Sequence, residues 1–400
     1  MNIEVFKLER MQSTWENVVE YNLAESGVRA LNLEEILGPE ELSRVLALRL
    51  GYSQTIGTPA LREAIAVFYP GINPETGIMA ASGSTEANYL CIWALIEPGD
   101  EIVFEMPNYM QMHGLGRNFG ARIKTFWLRP DRDWAPDLDE LAEAVTERTK
   151  YILLTNPNNP TGAVLTEAEM DAIVRVAERF GTTLLVDEVY QGAERIGGRT
   201  PSFWGRYDKV ICVNGLSKAY GLPGLRIGWV AAPPSIIERL QPAHDYTTMS
   251  PSVLSDAIAA IALRPPLRDK ILARTRAILE RNWTILDTWL RQRGVFTYVP
   301  PKAGAIVFTR YALDVNSTAL ALDLIKKRSV FIAPGDLFEI DRHLRIGFGS
   351  EERVLRTALE RITPDFKAWA RPGPESPSRS WNGPEDPKAA GAPDVHREST

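Results

Sequence analysis

Cysteine is nearly absent from this chain of 400 residues, which holds only two. Cys91 and Cys212 each sit inside an apolar run, so a disulfide framework is not expected and buried structural thiols are. An excess of one charge sign is also missing. With 45 basic against 51 acidic residues, the formal net charge is −6; both signs are mixed along the chain, and composition gives no reason to expect nucleic acid as a partner. No apolar run is long enough for a membrane span. The first ten residues, M-N-I-E-V-F-K-L-E-R, lack the apolar stretch and cleavage site of a secretory signal, so the expected location is the cytoplasm. No internal repeat is evident. The composition left is that of an ordinary globular protein, long enough for two domains, and a small-molecule ligand suits it best.

Short apolar runs alternate with helix-like segments through the first part of the chain. Runs at 101–105, 151–155, 183–186 and 209–213, with I-M-A-A before Gly83, read as buried strands; helices are expected from about Thr85 and over 167–180. This is the pattern of an α/β fold with a mostly parallel central sheet and helices on both faces. After Ala231-Ala-Pro-Pro234 the character changes to helices through Leu263 and from Leu267, followed by short strands near 295–299 and 305–308, a smaller α+β domain. The expected division is an irregular N-terminal arm and helix over 1–45, a large domain over 46–235, a small domain over 236–366 completed by the arm, and a disordered Pro-rich tail over 367–400.

Chemistry-bearing residues gather where these strands end. Lys218 follows the 209–213 run in V-N-G-L-S-K-A-Y-G-L-P-G-L-R, with Arg226 eight residues on. A pocket there would lower the amine's pKa by burial and by repulsion from the second cation, although a solvated surface lysine fits the same residues. Asp187 closes a four-residue apolar run, an expensive place for a carboxylate unless a cation or strong donors meet it. The turn S-G-S-T at Ser84 and Thr85 opens a helix whose first N–H groups favour an anion, and a plain N-cap needs the same residue types. Arg345, in H-L-R-I-G-F-G, is flanked by apolar residues and requires an anionic partner, either a bound carboxylate or an internal Asp or Glu. Tyr109 and Tyr52, read alone, are packing aromatics. The loop from Tyr246 to Pro251 could line the pocket, and His113 is given no role.

Three segments, N-P-N-N-P-T-G from Asn156, D-E-V-Y from Asp187 and S-K-A-Y-G-L-P-G-L-R from Ser217, resemble those of the class I/II aminotransferases, in the same order. That family consists of fold-type I enzymes dependent on pyridoxal 5′-phosphate. The resemblance, over roughly residues 20–362, implies that Lys218 carries the cofactor covalently and is the base at the substrate's Cα. It further implies that Asp187 pairs with the ring nitrogen, Asn159 and Tyr190 with the phenolic oxygen, and Tyr109 with the ring face. Ser84, Thr85, Ser217 and Arg226 would hold the phosphate. A homodimer is implied, with Tyr52 reaching the neighbouring subunit's phosphate. Arg345, with Asn159 and the backbone at Gly27, would take the substrate's α-carboxylate.

Two departures stand out. Gly215 lies three residues before the lysine, where the family commonly has serine, and E-S-G-V at Glu25 replaces the usual G-x-P type of loop. The activity implied is transfer of an amino group between an L-amino acid and a 2-oxo acid. Oxidation, hydroxylation, elimination or cyclisation on the same fold is the alternative, and a non-catalytic binding protein the most distant one.

Overall fold

The computed structural model describes residues 3–367; the Pro-rich stretch expected as a tail lies, beyond Lys367, outside the described residues. Its larger sheet has eight strands in the spatial order Ile78–Ala81, Gly228–Ala231, Val210–Gly215, Thr183–Asp187, Thr149–Thr155, Glu101–Met106, Arg122–Arg129 and Ala135–Pro136. Pairing is parallel from Val210–Gly215 across to Arg122–Arg129. The strand Gly228–Ala231 is antiparallel to both of its neighbours, and Ala135–Pro136 closes the far edge antiparallel.

Strand composition dictates burial on both faces. Along successive residues, Ile152, Leu154, Leu184, Val186 and Cys212 join one hydrophobic cluster, whereas Tyr151, Leu153, Leu185, Ile211 and Val213 join another. This is the period-two alternation of a sheet covered on both sides. The helix Glu167–Phe180 covers the first face through Met170, Ile173 and Ala177; Ser84–Leu95 and Pro234–His244 cover the second through Leu90, Cys91, Ile237 and Leu240. The two thiols are buried and unpaired. No helix among the described residues is long and apolar enough to cross a membrane.

A second sheet is antiparallel, in the order Phe296–Tyr298, Ile306–Tyr311, His343–Gly347, Ala333–Pro334. The N-terminal segment is tied to it. Tyr21–Asn22 pairs in parallel with Val330–Phe331, and the Gly347 N–H donates to the Leu23 carbonyl at 2.7 Å. Gly347 and Gly349 permit this approach: a Cβ at either would collide with the carbonyl oxygen of Glu25 or Gly27. The G-F-G after Arg345 thus draws residues 25–27 across the strand end.

Two expectations need correction. The first thirty residues are not irregular: Lys7–Trp15 is a helix, with Leu8 and Gln12 buried one turn apart and Met11 and Trp15 packed on the same cluster. Few of its residues are apolar, and the polar ones between them hide the periodicity. The helix expected within 1–45 is likewise split: Leu33–Glu35 is a 3-10 turn, and Pro39–Leu46 is an α-helix started by Pro39 at the first position.

Candidate active site

The carboxyl ends of the parallel strands open into a cavity of about 390 Å3. Asp187 is the last residue of its strand; Lys218 and Asn159 follow the ends of Val210–Gly215 and Thr149–Thr155 within a few residues. Ser84, Thr85, Tyr109, Asn159, Asp187, Tyr190, Ser217, Lys218, Arg226 and Arg345 all line this one cavity. Ligands bind at such strand ends because loops there can be shaped while the sheet holds them still.

One end of the cavity is built for an anion. Ser84 begins a 12-residue helix whose N-cap, Gly83, has φ of 84°, and Arg226 takes a left-handed φ of 50° at the end of the Pro223–Leu225 turn. That conformation is costly for a side-chain-bearing residue, and it brings the guanidinium against Gly83, where any Cβ would overlap it. Gly215 is confined less tightly, since its Cβ would stand 3.1 Å from the Ile227 carbonyl oxygen and 3.6 Å from the Ser84 Cβ. The groups available to donate to an anion here are the hydroxyls of Ser84, Thr85 and Ser217, the helix N–H groups and Arg226.

In the middle stands Asp187, whose Oδ2 accepts from Asn88 Nδ2 at 2.9 Å and Oδ1 from the Val189 N–H at 3.0 Å. Burial raises its pKa despite these donors and the Lys218 charge. A buried carboxylate without a contacting cation favours a cationic N–H partner. The Tyr190 hydroxyl is buried and without a hydrogen-bond partner, so it too has capacity in reserve. Asn159 Oδ1 accepts from Arg345 Nη1 at 2.9 Å.

Arg345 is 1% exposed, stacks over Phe338 and donates from Nη2 to the Ala24 carbonyl at 2.7 Å. Its Nε has no partner and no ion pair forms at it among the described residues, so the internal Asp or Glu considered from sequence is not there. Burial lowers its pKa, against the nearby Tyr190, Glu25 and Glu9.

Lys218 departs from expectation. Burial is the largest single influence and pulls its pKa down, but the Glu25 charge, the nearby Tyr190 and the hydrogen bond to Glu25 together outweigh it, and the net shift is upward. Its Nζ donates to Glu25 Oε1 at 3.0 Å, an oxygen also held by the N–H groups of Ser26 and Gly27 at 3.0 and 2.7 Å. The Lys218 charge, with these donors, holds the Glu25 carboxyl down to about 2. Arg226, expected to acidify the lysine, is not among the groups that shift it.

Other placements also differ from the sequence reading. The Gly27 N–H is engaged by Glu25, and its residue does not line the cavity. Tyr52 is 88% exposed and away from its own chain's cavity. The loop from Tyr246 to Pro251 does not reach the cavity; Thr248 instead donates to Glu86. Sequence reasoning missed Asn88, Gln111, Glu9, Glu16 and Glu25, all of which line the cavity. Asn88, one helical turn past Ser84, was the one most open to discovery, since i and i+4 share a helix face.

Comparison with known proteins agrees with this arrangement. The family model described as aminotransferase class I and II matches residues 44–362, and the chain belongs to that pyridoxal phosphate-dependent family. It is 31% identical to capreomycidine synthase of Streptomyces vinaceus over 88% of this chain and 89% of that one. With an aspartate/prephenate aminotransferase of Thermus thermophilus the identity is 27%, over 78% and 82%. Among solved structures, a PLP-dependent aminotransferase from Streptococcus suis superposes with a TM-score of 0.88 at 33% identity, covering 93% of this chain and all of that one. The PLP-dependent cyclase OrfR shares the fold, with a TM-score of 0.85 at 24% identity over 92% and 98%.

Proposed function

We propose that the protein is an aminotransferase in which Lys218 carries pyridoxal phosphate and an amino acid is bound by Arg345. The observation that carries this reading is the convergence of an anion cradle, a buried carboxylate, an amine and a buried guanidinium in one cavity. The cofactor, when bound, accepts electrons from the substrate's Cα as its proton leaves. Arg226, Ser84, Thr85 and Ser217 would hold the phosphate, and the unpartnered Tyr190 hydroxyl, with Asn159, would meet the phenolic oxygen. Tyr109 would border the ring. Asp187, fixed by Asn88, would keep the ring nitrogen protonated. Arg345 binds the α-carboxylate through its planar fork. Lys218 Nζ, once free and neutral, would take the Cα proton.

A homodimer belongs to the same proposal: Tyr52, exposed beside Leu46 and Leu50 at 77% and 78%, is assigned to the neighbouring subunit's phosphate. Residues 46–235 and 236–366 are proposed as the large and small domains, the latter completed by the arm.

A second reading is cyclisation or elimination in place of nitrogen exchange. Glu25 favours it, because its ionised carboxylate, 3.0 Å from Lys218, is a second base that can serve a carbon other than Cα. Two of the similar proteins are also named synthase and cyclase. Incubating the enzyme with amino acids and a panel of mono- and dicarboxylic 2-oxo acids separates the readings. A new 2-oxo acid matched by a new amino acid supports transamination; a rearranged product that keeps its nitrogen, with the 2-oxo acid unconsumed, rejects it.

A further inference from the structure

The cavity carries more negative charge than this chemistry uses. Lys218, Arg226 and Arg345 line it with Glu9, Glu16, Glu25 and Asp187. In the proposed function Arg226 meets the phosphate, Arg345 the α-carboxylate and Asp187 the ring, while Lys218 gives up its free ammonium on bonding the cofactor. Three glutamates are then left over. Glu9, Gln12 and Glu16 recur at spacings of three and four, so the N-terminal helix and its end turn one polar face to the cavity. Glu9 accepts from the Tyr109 hydroxyl at 2.7 Å, and neither it nor Glu16 has an ion-pair partner among the described residues. Glu25 spends Oε1 on Lys218 and two backbone N–H groups, and Oε2 has no partner.

An acidic rim alone marks nothing, but this one borders a cavity that independently points to a ligand. The Tyr190 hydroxyl and Arg345 Nε are unpartnered there, in residues only 2% and 1% exposed. We propose that the substrate is an amino acid whose side chain ends in a cation, an ammonium or guanidinium, received by Glu9 and Glu16 of the N-terminal helix beside Glu25. This rests on the proposed role of Arg345 and Lys218. A substrate with a second carboxylate would meet like charge at the same place and be rejected.

The test uses the cofactor-loaded enzyme and 2-methyl amino acids, which have no Cα proton to lose, so that calorimetry reads binding and exchange with Lys218 without deprotonation at Cα. 2-Methylornithine is expected to bind at least about tenfold more tightly than uncharged 2-methylnorvaline, with 2-methylglutamate weakest and the preference shrinking with salt. The double variant Glu9→Gln, Glu16→Gln is expected to abolish the preference, with 2-methylornithine losing at least about tenfold more affinity than 2-methylnorvaline. Equal or tighter binding of the neutral or acidic analogue overturns the proposal, as does a double variant that keeps the preference. If no analogue binds although the cofactor is on Lys218, the amino-acid reading of Arg345 fails and the inference with it. If the cofactor is elsewhere, the proposed function fails first, and peptide mapping shows which has happened.

Discussion

The floor and the roof of the cavity are made in different ways. The floor is three strand ends and their loops, each joined by covalent chain to a buried parallel strand, so Asp187, Asn159 and Lys218 inherit the rigidity of the sheet. The roof is the N-terminal helix and residues 25–27, held by a two-residue strand, the Gly347 hydrogen bond and a few apolar side chains. A rigid floor suits chemistry that every substrate shares. A separately anchored roof can change its carboxylates without disturbing that chemistry, which is why the proposed choice of substrate is assigned to it.

The sharpest way to break this contrast is at the floor. Asp187→Asn is expected to lower turnover about a thousandfold with the cofactor still attached; a loss confined to KM would contradict the division. Next is Glu105, a buried carboxylate beneath the floor. Its Oε2 accepts from the Thr155 N–H at 3.0 Å and from Asn108 and Asn158 amides at 3.0 and 2.9 Å. Glu105→Leu orphans three donors and is expected to cost about 3 kcal/mol or more in urea unfolding, whereas Glu105→Gln keeps an acceptor and costs about 1 kcal/mol. Burial pushes the Glu105 carboxyl up to about 8. A carboxyl raised in the folded state contributes stability that is full below its unfolded value of about 4 and is lost as pH rises through about 8. The urea midpoint should therefore fall from about pH 5 to about pH 9 by less in Glu105→Gln than in the parent.

At the border of floor and roof, Arg345→Lys removes the planar fork and is expected to raise KM about a hundredfold, kcat changing less. The smallest effect comes from the roof. Because Glu25, with Tyr190, raises the pKa of the Lys218 amine against the pull of burial, Glu25→Gln should raise the neutral fraction near pH 7. Cofactor attachment to the stripped enzyme is then expected to become about tenfold faster, measured by absorbance. An unchanged rate would show that the ion pair does not govern the amine.

This contrast also explains how much could be read in advance. Lys218, Arg226, Asp187, Asn159 and the Ser84 turn were legible because a strand end and its loop are contiguous in sequence, and the surrounding glycines and prolines mark the turn. The strands and the helix Glu167–Phe180 carried their own periodicity. Glu9, Glu16 and Glu25 had no such mark, since what brings Glu25 to Lys218 is a contact 193 residues away made possible by glycines at 347 and 349. The amine's upward shift was missed for the same reason: local sequence displays Arg226, and only the fold brings Glu25. Arg122–Arg129, in which charged and apolar residues mix at a partly exposed position, likewise drew no strand assignment.

The most direct test of the account is borohydride reduction of the cofactor-loaded enzyme followed by peptide mapping. The account predicts a single pyridoxyl label on Lys218, in the peptide that runs on to Arg226, and none after Lys218→Ala. A label on another lysine, or no label in an enzyme that still turns over amino acids, would contradict it.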